Sequence, residues 1–242
     1  MNLALRQRLL ALQKTVPIGD APAVRPLGVA PIDAALGGGL ACSALHEIAA
    51  PGEAHLTAAS GFALALAASR RLFWIAEDMA LAESGGPYGP GLDGFGVAPE
   101  RLLTVTAAHR RDLLWAMEEA LRCRAIGAVI GELRHGALDA VAVRRLSLAA
   151  CNSGALALLL RASPPREAST AATRWIVGAA PSASDMSPRF AVHLVRNRRG
   201  PLGSWILEWS DTDECFSLAT HAQPVAMPVL DRSHRQIPRR VA

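Results

Sequence analysis

Short apolar runs alternate with longer Ala- and Leu-rich stretches through the first two thirds of the chain. Five runs have the length of strands that are buried on both faces, at residues 45–49, 72–76, 102–105, 126–131 and 155–160. Three stretches between them have the length of helices, at residues 57–70, 110–123 and 139–151. This alternation predicts a parallel sheet with crossover helices, in which Asp139 caps the third helix and Gly154 ends it.

The hydrophobic period changes after residue 170. Three more strands are predicted there, at residues 173–178, 190–195 and 204–209, and residues 196–203 predict a hairpin between the last two. Residues 82–98 are rich in Gly and Pro and predict a loop. We therefore predict an α/β fold with a mostly parallel central sheet, helices on both faces and antiparallel C-terminal strands.

The two ends of the chain differ from this core, which we place at residues 31–218. Residues 1–16 predict an amphipathic helix with Leu9 and Leu12 on its apolar side, and residues 17–30 predict a Pro/Gly linker. Residues 219–242 predict a flexible basic tail. The N-terminal helix can dock on a neighbouring protein or fold back on its own core, and the sequence favours neither.

Charge and composition narrow the function. The formal net charge is +4, and four arginines against Asp231 place +3 of it in residues 221–242. The core is therefore nearly neutral, and no strong nucleic-acid stripe is indicated. The four cysteines are scattered and the histidines lack metal-ligand spacing, so we assign no metal. No signal peptide and no apolar run of roughly 20 residues is found, so we expect a cytoplasmic protein without a membrane span.

The junction between the first long strand and its helix is where doubly wound folds bind ligands. Here the sequence is Ala-Ala-Pro-Gly-Glu-Ala-His-Leu-Thr at residues 49–57. A phosphate-binding loop of the form G-x-x-x-x-G-K-[S/T] needs glycines that let backbone N–H groups wrap the phosphates and a lysine that neutralises them. The residues of this loop in that frame are Ala50, Pro51, Gly52, Glu53, His55, Leu56 and Thr57.

This loop lacks the groups that a bound phosphate needs. Ala50 and His55 stand at the two glycine positions, Leu56 replaces the lysine, and Glu53 adds a negative charge. Thr57 alone matches, and we predict that it caps the helix. We therefore expect a degenerate loop, no cofactor and no catalysis, because phosphoryl transfer depends on electrostatic stabilisation that is missing here.

The surroundings of the loop resemble the RecA recombinases. Residues 27–40 and 46–48 are similar to the leucine–aspartate pair, the glycine-rich turn and the glutamate–isoleucine strand that precede the RecA loop. The resemblance implies that Glu77 corresponds to the strand-end catalytic glutamate and that Glu132 occupies the Walker B place. It also implies that the hairpin with Arg196 and Arg198 corresponds to one that reaches the nucleotide of the next subunit.

Two loops depart from the RecA pattern. The loop after Glu132 and the loop at residues 162–170 are both too short to match the DNA-binding loops of RecA. The chain is therefore not expected to be a recombinase. Arg161 and Arg166, at the start of the second loop and within it, are candidate DNA contacts.

Four further segments, at residues 88–92, 114–123, 171–175 and 203–209, resemble the ImuA family of RecA-like damage-inducible mutagenesis proteins. This resemblance implies a RecA-like fold and an accessory role in error-prone translesion synthesis during the SOS response. The implied partners are ImuB, a catalytically inactive Y-family polymerase homologue, together with RecA and an error-prone C-family polymerase. Contact with DNA is then indirect.

Several alternatives stay open at this point. Arg196, Arg198 and Arg199 form a basic hairpin tip that is either a solvated turn or a contact surface. A SulA-type cell-division inhibitor, which binds a tubulin-like protein, is a second functional interpretation. An ATPase with an atypical loop is a third.

Overall fold

The structure is a computed structural model, and it describes residues 7–8, 24–68, 70–182 and 187–219. Apart from residues 7 and 8, the predicted N-terminal helix with Leu9 and Leu12 lies outside the described residues, and so does the chain from residue 220 onward. The assignments of a helix at residues 1–16 and a tail at residues 219–242 therefore stay predictions.

In the described part of the chain, nine strands form one sheet and two short strands form a separate pair. The strands are β1 (Val24–Arg25), β2 (Leu40–Ala41), β3 (Ala44–Ala49), β4 (Leu72–Glu77), β5 (Leu102–Ala107), β6 (Ala128–Leu133), β7 (Leu156–Arg161), β8 (Thr173–Ala179), β9 (Arg189–Asn197), β10 (Gly203–Ser210) and β11 (Cys215–Leu218). The order across the large sheet is β11-β10-β9-β8-β3-β7-β6-β4-β5. The pairs from β8 to β5 are parallel, and the pairs from β11 to β8 are antiparallel.

Helices cover both faces of this sheet. They are α1 (Ala30–Ala35), α2 (Leu56–Ala67), α3 (Asp78–Ser84), α4 (Gly89–Asp93), α5 (Arg110–Leu121) and α6 (Ala140–Cys151). Helix α2 packs on one face, where Phe62 joins a core that includes Trp74 and Trp175. Helices α5 and α6 pack on the other face through Leu113 and Leu146. The predicted α/β class, with its mostly parallel sheet and antiparallel C-terminal strands, is confirmed.

The pleat of the strands explains why the central ones carry apolar runs. In β4, Phe73 and Ile75 belong to the core under α5 and α6, and Trp74 belongs to the core under α2.

The predicted boundaries of α6 are also confirmed. The Asp139 carboxylate accepts a hydrogen bond of 2.6 Å from the Ala142 N–H, and Gly154 has a φ of 72°, the left-handed conformation that follows many helices.

The folded core begins earlier than residue 31. The second half of the predicted linker at residues 17–30 is therefore part of the core. Strand β1 pairs with β2, and Leu27 and Val29 are buried. The Asp33 carboxylate accepts hydrogen bonds from the N–H groups of Leu27 and Gly28 at 2.7 and 3.0 Å, which fixes the chain at the start of α1. A carboxylate six residues away thus holds a Pro/Gly-rich segment against the core.

Two other elements differ from the sequence prediction. Residues 82–98, predicted to be a loop, contain the end of α3 and all of α4. Strand β11 was not predicted, because only its pairing with β10 makes so short a segment extended. Among the described residues, none of the helices has both the length and the apolar character needed to cross a bilayer.

Candidate functional site

The degenerate loop joins β3 to α2 by a tight turn. The Ala50 N–H donates to the carbonyl of Arg161 at 2.9 Å, which continues the pairing of β3 with β7 past the end of the strand. Gly52 has an extended backbone, and residues Glu53–His55 form a single 3-10 turn that leads directly into α2. The backbone therefore turns straight into the helix at the place where a phosphate-binding loop would wrap its ligand.

Side chains of the loop close it against strand β8. The Nδ1 atom of His55 accepts a hydrogen bond of 3.1 Å from the Ala179 N–H. A Cβ atom at Gly178 would lie 3.2 Å from Cγ of Pro51 and 3.3 Å from Nδ1 of His55, so the loop packs tightly on the strand. Pro51 and His55 thus contact protein at the position where a P-loop contacts phosphate.

The two residues after His55 are the first two of helix α2. Leu56, which stands where the lysine of an ATPase would be, is only 7% exposed and belongs to the core under α2. Thr57 is exposed and is the second residue of α2, whereas His55 is the N-cap residue and makes no side-chain capping bond. The prediction that Thr57 caps the helix is therefore wrong. Glu53 is exposed at the start of the 3-10 turn.

The two strand-end carboxylates leave opposite faces of the sheet. Glu132 is 5% exposed, accepts a hydrogen bond of 3.2 Å from the indole N–H of Trp74, and pairs with the Nε of Arg134 at 2.8 Å. Ala76 is the register partner of Glu132, so Glu77 starts from the opposite face of the sheet. Glu77 is half-buried at the N-cap of α3 and makes no capping bond. The contacts of Glu132 are therefore those of a residue that stabilises the fold.

A third carboxylate, Glu47 in β3, is 1% exposed, and the sequence analysis assigned it no role. It accepts a hydrogen bond of 2.7 Å from the Ser169 hydroxyl and pairs with the Nε of Arg174 at 2.6 Å. The same guanidinium donates to the carbonyls of Pro165 and Glu167 at 3.3 and 3.1 Å. This group anchors the loop at residues 162–172 to the sheet. A glutamate inside an apolar strand is the sequence signal that could have revealed it.

The candidate DNA contacts differ in accessibility. Arg161 is 6% exposed and donates to the Gly136 carbonyl at 2.9 Å, and its burial lowers the pKa of its guanidinium. Arg110 donates to the carbonyls of His135 and Ala137 at 2.9 Å, so two arginines brace the loop at residues 134–138. Because Arg161 is buried in this way, the prediction that it contacts DNA is corrected. Arg166 is exposed, and its role stays a prediction.

The basic hairpin lies at the other end of the sheet. Its strand β9 pairs Asn197 with Thr173, the first residue of β8, whereas the degenerate loop contacts the last residue of β8. Arg196 donates to the Ala171 carbonyl at 3.2 Å, Arg199 donates to the Gly37 carbonyl at 3.4 Å, and Arg198 is exposed. The hairpin is therefore fixed to neighbouring turns and presents Arg198 to solvent.

A groove of about 960 Å³ lies beside edge strand β5, between α5 and the start of α6. Its lining includes Val105, Leu114, Trp115, Leu138 and Ala142. Strand β5 is the last strand of the sheet, so its outer edge is unpaired within the described residues. Across the described ranges, no three His, Cys, Asp or Glu side chains come together in a way that could hold a metal ion.

Comparison with known proteins identifies the fold and the family. No protein-family model matches the chain. The chain superimposes on the crystal structure of the RadB recombinase with a TM-score of 0.53 at 13% identity, covering 76% of this chain and 96% of that one, which confirms a RecA-like fold. Protein ImuA of Caulobacter vibrioides, from strain NA1000 / CB15N and from strain ATCC 19089 / CIP 103742 / CB 15, is 32% identical over 196 residues, which cover 71% of this chain and 77% of its own. With that identity over most of both sequences, the chain belongs to the ImuA family.

Proposed function

We propose that this chain is a non-catalytic accessory protein of damage-inducible mutagenesis, and that it acts by binding other proteins without using a nucleotide. The observation that carries this proposal is the closed loop between β3 and α2. Leu56 is buried where a lysine would neutralise phosphates, and His55 is hydrogen-bonded to the Ala179 N–H. A loop filled by its own side chains supplies no electrostatic stabilisation to a phosphoryl group.

Membership in the ImuA family supports the cellular setting. The proposed partner is an ImuB-type homologue of the Y-family polymerases, and RecA and an error-prone C-family polymerase belong to the same assembly. In this assembly the RecA-like fold serves as a scaffold. Its surfaces, and not a catalytic centre, carry the function.

The groove beside β5 is the surface that we assign to the ImuB-type partner. Its lining includes Leu114, Trp115 and Leu138, and an unpaired edge strand forms one side of it. An extended segment of a partner can add to such an edge with its backbone and place alternate side chains in the groove. A large aromatic residue in the lining is typical of positions that dominate binding energy.

The first test is a pull-down of the purified full chain with ImuB and RecA homologues from the same cell, with and without ATP. The proposal expects capture of the ImuB homologue to the same extent in both conditions. Failure to capture either protein would contradict it. Filamentation without mutagenesis on overexpression would then favour the division-inhibitor alternative.

The second test measures ATP turnover by the wild-type chain and by Glu77→Gln. We expect no turnover above the buffer blank in either protein, because the loop offers no lysine to the phosphates. Turnover that disappears in Glu77→Gln would establish the ATPase alternative and overturn the non-catalytic assignment.

The third test addresses the groove with two neighbouring substitutions on α6. Ala142→Glu places a charged side chain in the groove, whereas Val141 is 68% exposed and is not part of the groove lining, so Val141→Glu is the matched control. We expect Ala142→Glu to weaken binding of the ImuB homologue at least about tenfold, because the charge loses its water when the partner docks. The control should bind like wild type. Equal binding by both variants would place the partner elsewhere.

A further inference from the structure

Arginines gather at the amino ends of the parallel strands, at the opposite end from the degenerate loop. Hydrogen bonds and close contacts connect them in a row. Arg199 donates to the Gly37 carbonyl at 3.4 Å. The glycine turn that begins at Gly37 packs against Arg25, because a Cβ at Gly39 would lie 2.3 Å from the Arg25 carbonyl oxygen. Arg25 donates to the Ala68 carbonyl at 2.9 Å. The row thus runs from the hairpin through β1 to the end of α2.

The row continues past α2 to the start of β6. Arg70 donates to the Gly127 carbonyl at 3.2 Å, and the Arg71 carbonyl accepts from the Gly127 N–H at 3.0 Å. Arg124 is exposed at the turn that leads into Gly127. We call the surface formed by these side chains the basic ridge, and its members are Arg25, Arg70, Arg71, Arg124, Arg198 and Arg199.

Few acidic groups accompany the arginines of the basic ridge. Among the described residues, Nη1 of Arg25 and Nη1 of Arg71 are buried and have no hydrogen-bond acceptor. Burial, followed by the charge of Arg70, lowers the pKa of Arg25 to about 10. The segments that build the ridge, at residues 24–46, 68–72, 124–128 and 196–203, contain one acidic residue, Asp33, whose carboxylate accepts hydrogen bonds from the N–H groups of Leu27 and Gly28.

Part of this positive charge has a local structural role. That role does not explain the remaining charge of the ridge. The C-terminal end of α2 carries the negative end of its helix dipole, and Arg25 caps it through the Ala68 carbonyl. Arg70 and Arg199 likewise donate to the carbonyls of Gly127 and Gly37, and none of these neutral carbonyls cancels a positive charge. The exposed Arg124 and Arg198 make no side-chain bond of this kind in the described part of the chain, and they extend the charge along the surface.

We propose that the basic ridge binds the phosphate backbone of a nucleic acid. A row of guanidinium groups on fixed turns matches a row of phosphates, because each planar group can donate two hydrogen bonds to one phosphate. A half-buried arginine whose nitrogen lacks an acceptor gains one when its side chain turns toward a phosphate oxygen. The contact is to the backbone, so it carries no sequence preference. This site goes beyond the proposed function, in which contact with DNA is indirect.

The test measures binding of the full chain to a fluorescein-labelled 30-nucleotide single strand and to its duplex, by anisotropy over a series of salt concentrations. The variant Arg124→Gln/Arg198→Gln removes two exposed charges from the ridge. The matched control, Arg111→Gln/Arg144→Gln, removes two exposed charges from α5 and α6. All proteins keep residues 220–242, so a contribution of the C-terminal arginines is the same in each.

We expect the ridge variant to bind at least about tenfold more weakly. The slope of log affinity against log salt concentration should become less steep by roughly two for the duplex, since about 0.9 is lost per phosphate contact. The control should keep the wild-type slope. Absence of binding by the wild-type chain, or equal losses in the two variants, would overturn the proposal. Binding of poly-glutamate with the same affinity and the same dependence on Arg124 and Arg198 would assign the ridge to an acidic protein instead.

Failure of this proposal is distinguishable from failure of the proposed function. The ridge variant retains every residue of the groove beside β5, so we expect it to capture the ImuB homologue like wild type. Loss of oligonucleotide binding with intact capture supports both proposals. Loss of capture in Ala142→Glu with intact oligonucleotide binding shows that the two surfaces act independently.

Discussion

The two ends of the parallel strands differ in whether carboxylates pair with their arginines. At the carboxyl ends, Glu132 is paired with Arg134 and bonded to Trp74, and Arg161 is bonded to a loop carbonyl. At the amino ends, the arginines of the basic ridge make no salt bridge in the described part of the chain. Guanidinium nitrogens of Arg25 and Arg71 are buried there without an acceptor, as Nε of Arg110 is at the carboxyl ends. The first arrangement is typical of a structural interior, and the second is typical of a surface that receives an anion.

This contrast places a candidate anion site at the end of the sheet opposite to the usual one in open α/β folds. Such folds bind ligands beyond the carboxyl ends of their strands and use the opposite end for stability. In this chain the carboxyl end of β3, where a phosphate would bind, is closed by protein side chains, among them Leu56 and His55. Substitutions that break the Glu132–Arg134 pair should therefore affect stability, whereas substitutions of the exposed ridge arginines should affect oligonucleotide binding.

The largest effect is expected from breaking the pair at the carboxyl end. Arg134→Leu leaves the Glu132 carboxylate buried with only the Trp74 indole as a partner, and we expect it to lower the free energy of unfolding by about 3–5 kcal/mol. Urea denaturation at pH 7 measures the change. The double variant Glu132→Gln/Arg134→Leu should recover most of the loss, because no charge remains buried. A loss under about 1 kcal/mol in the single variant would show that the pair is not needed for stability.

A smaller effect, which depends on pH, is expected from His46. This buried imidazole donates through Nε2 to the Ala41 carbonyl at 2.9 Å and accepts at Nδ1 from the Thr173 hydroxyl at 2.7 Å, since the Trp175 indole N–H donates to that hydroxyl at 2.8 Å. Burial, with a smaller contribution from the charge of Arg199, lowers the pKa of His46 to about 4 against the opposing effect of the hydrogen bond to the Ala41 carbonyl.

A lowered pKa means that the unfolded chain binds the proton more readily than the folded chain does. The contribution of neutral His46 is therefore fully present above pH 6.5 and is lost as the pH falls toward 4, by about 1.4 kcal/mol per pH unit. Between pH 6.5 and pH 5 we expect a loss of about 2 kcal/mol that is missing in His46→Gln. Identical pH dependence of the unfolding free energy in the two proteins would contradict this assignment.

A smaller loss of stability is expected when the packing of Arg110 against the loop at residues 134–138 is disturbed. Gly136 has a φ of 77°, and a Cβ there would lie 2.1 Å from Nη2 of Arg110. Gly28 has a φ of 81° and open space around it, so Gly28→Ala is the matched control for backbone strain. We expect Gly136→Ala to cost about 2 kcal/mol and the control about 1 kcal/mol, because only the first displaces a bracing arginine. Equal melting temperatures would show that Arg110 does not brace the loop.

The smallest effect on stability is expected at the amino end. Arg124 and Arg198 are exposed, so Arg124→Gln/Arg198→Gln should change the free energy of unfolding by less than about 0.5 kcal/mol. Chemical denaturation checks this in the same preparation that is used for anisotropy. A clear destabilisation would mean that these arginines stabilise the fold. A loss of oligonucleotide binding would then reflect unfolding and not the loss of a contact.

Particular residues show how far the sequence could be read. Asp139 and Gly154 mark the ends of α6 because capping and left-handed conformations depend on local chemistry. Thr57 was misassigned because the helix begins one residue earlier than its pattern suggests, through a 3-10 turn stabilised by contact with β8. Arg161 resembles a surface arginine in sequence, and only the position of Gly136 shows that it is buried.

The sequence by itself determined the α/β class, the order of the central elements and the loss of the phosphate-binding lysine, because each depends on residues that are close together in the chain. The tertiary structure alone decided that His55 closes the loop on Ala179 and that Glu47 holds Arg174. It also decided that arginines from segments more than 100 residues apart form one ridge on a nearly neutral core. Net charge sums over the whole chain, whereas a binding surface depends on which charges the fold places side by side.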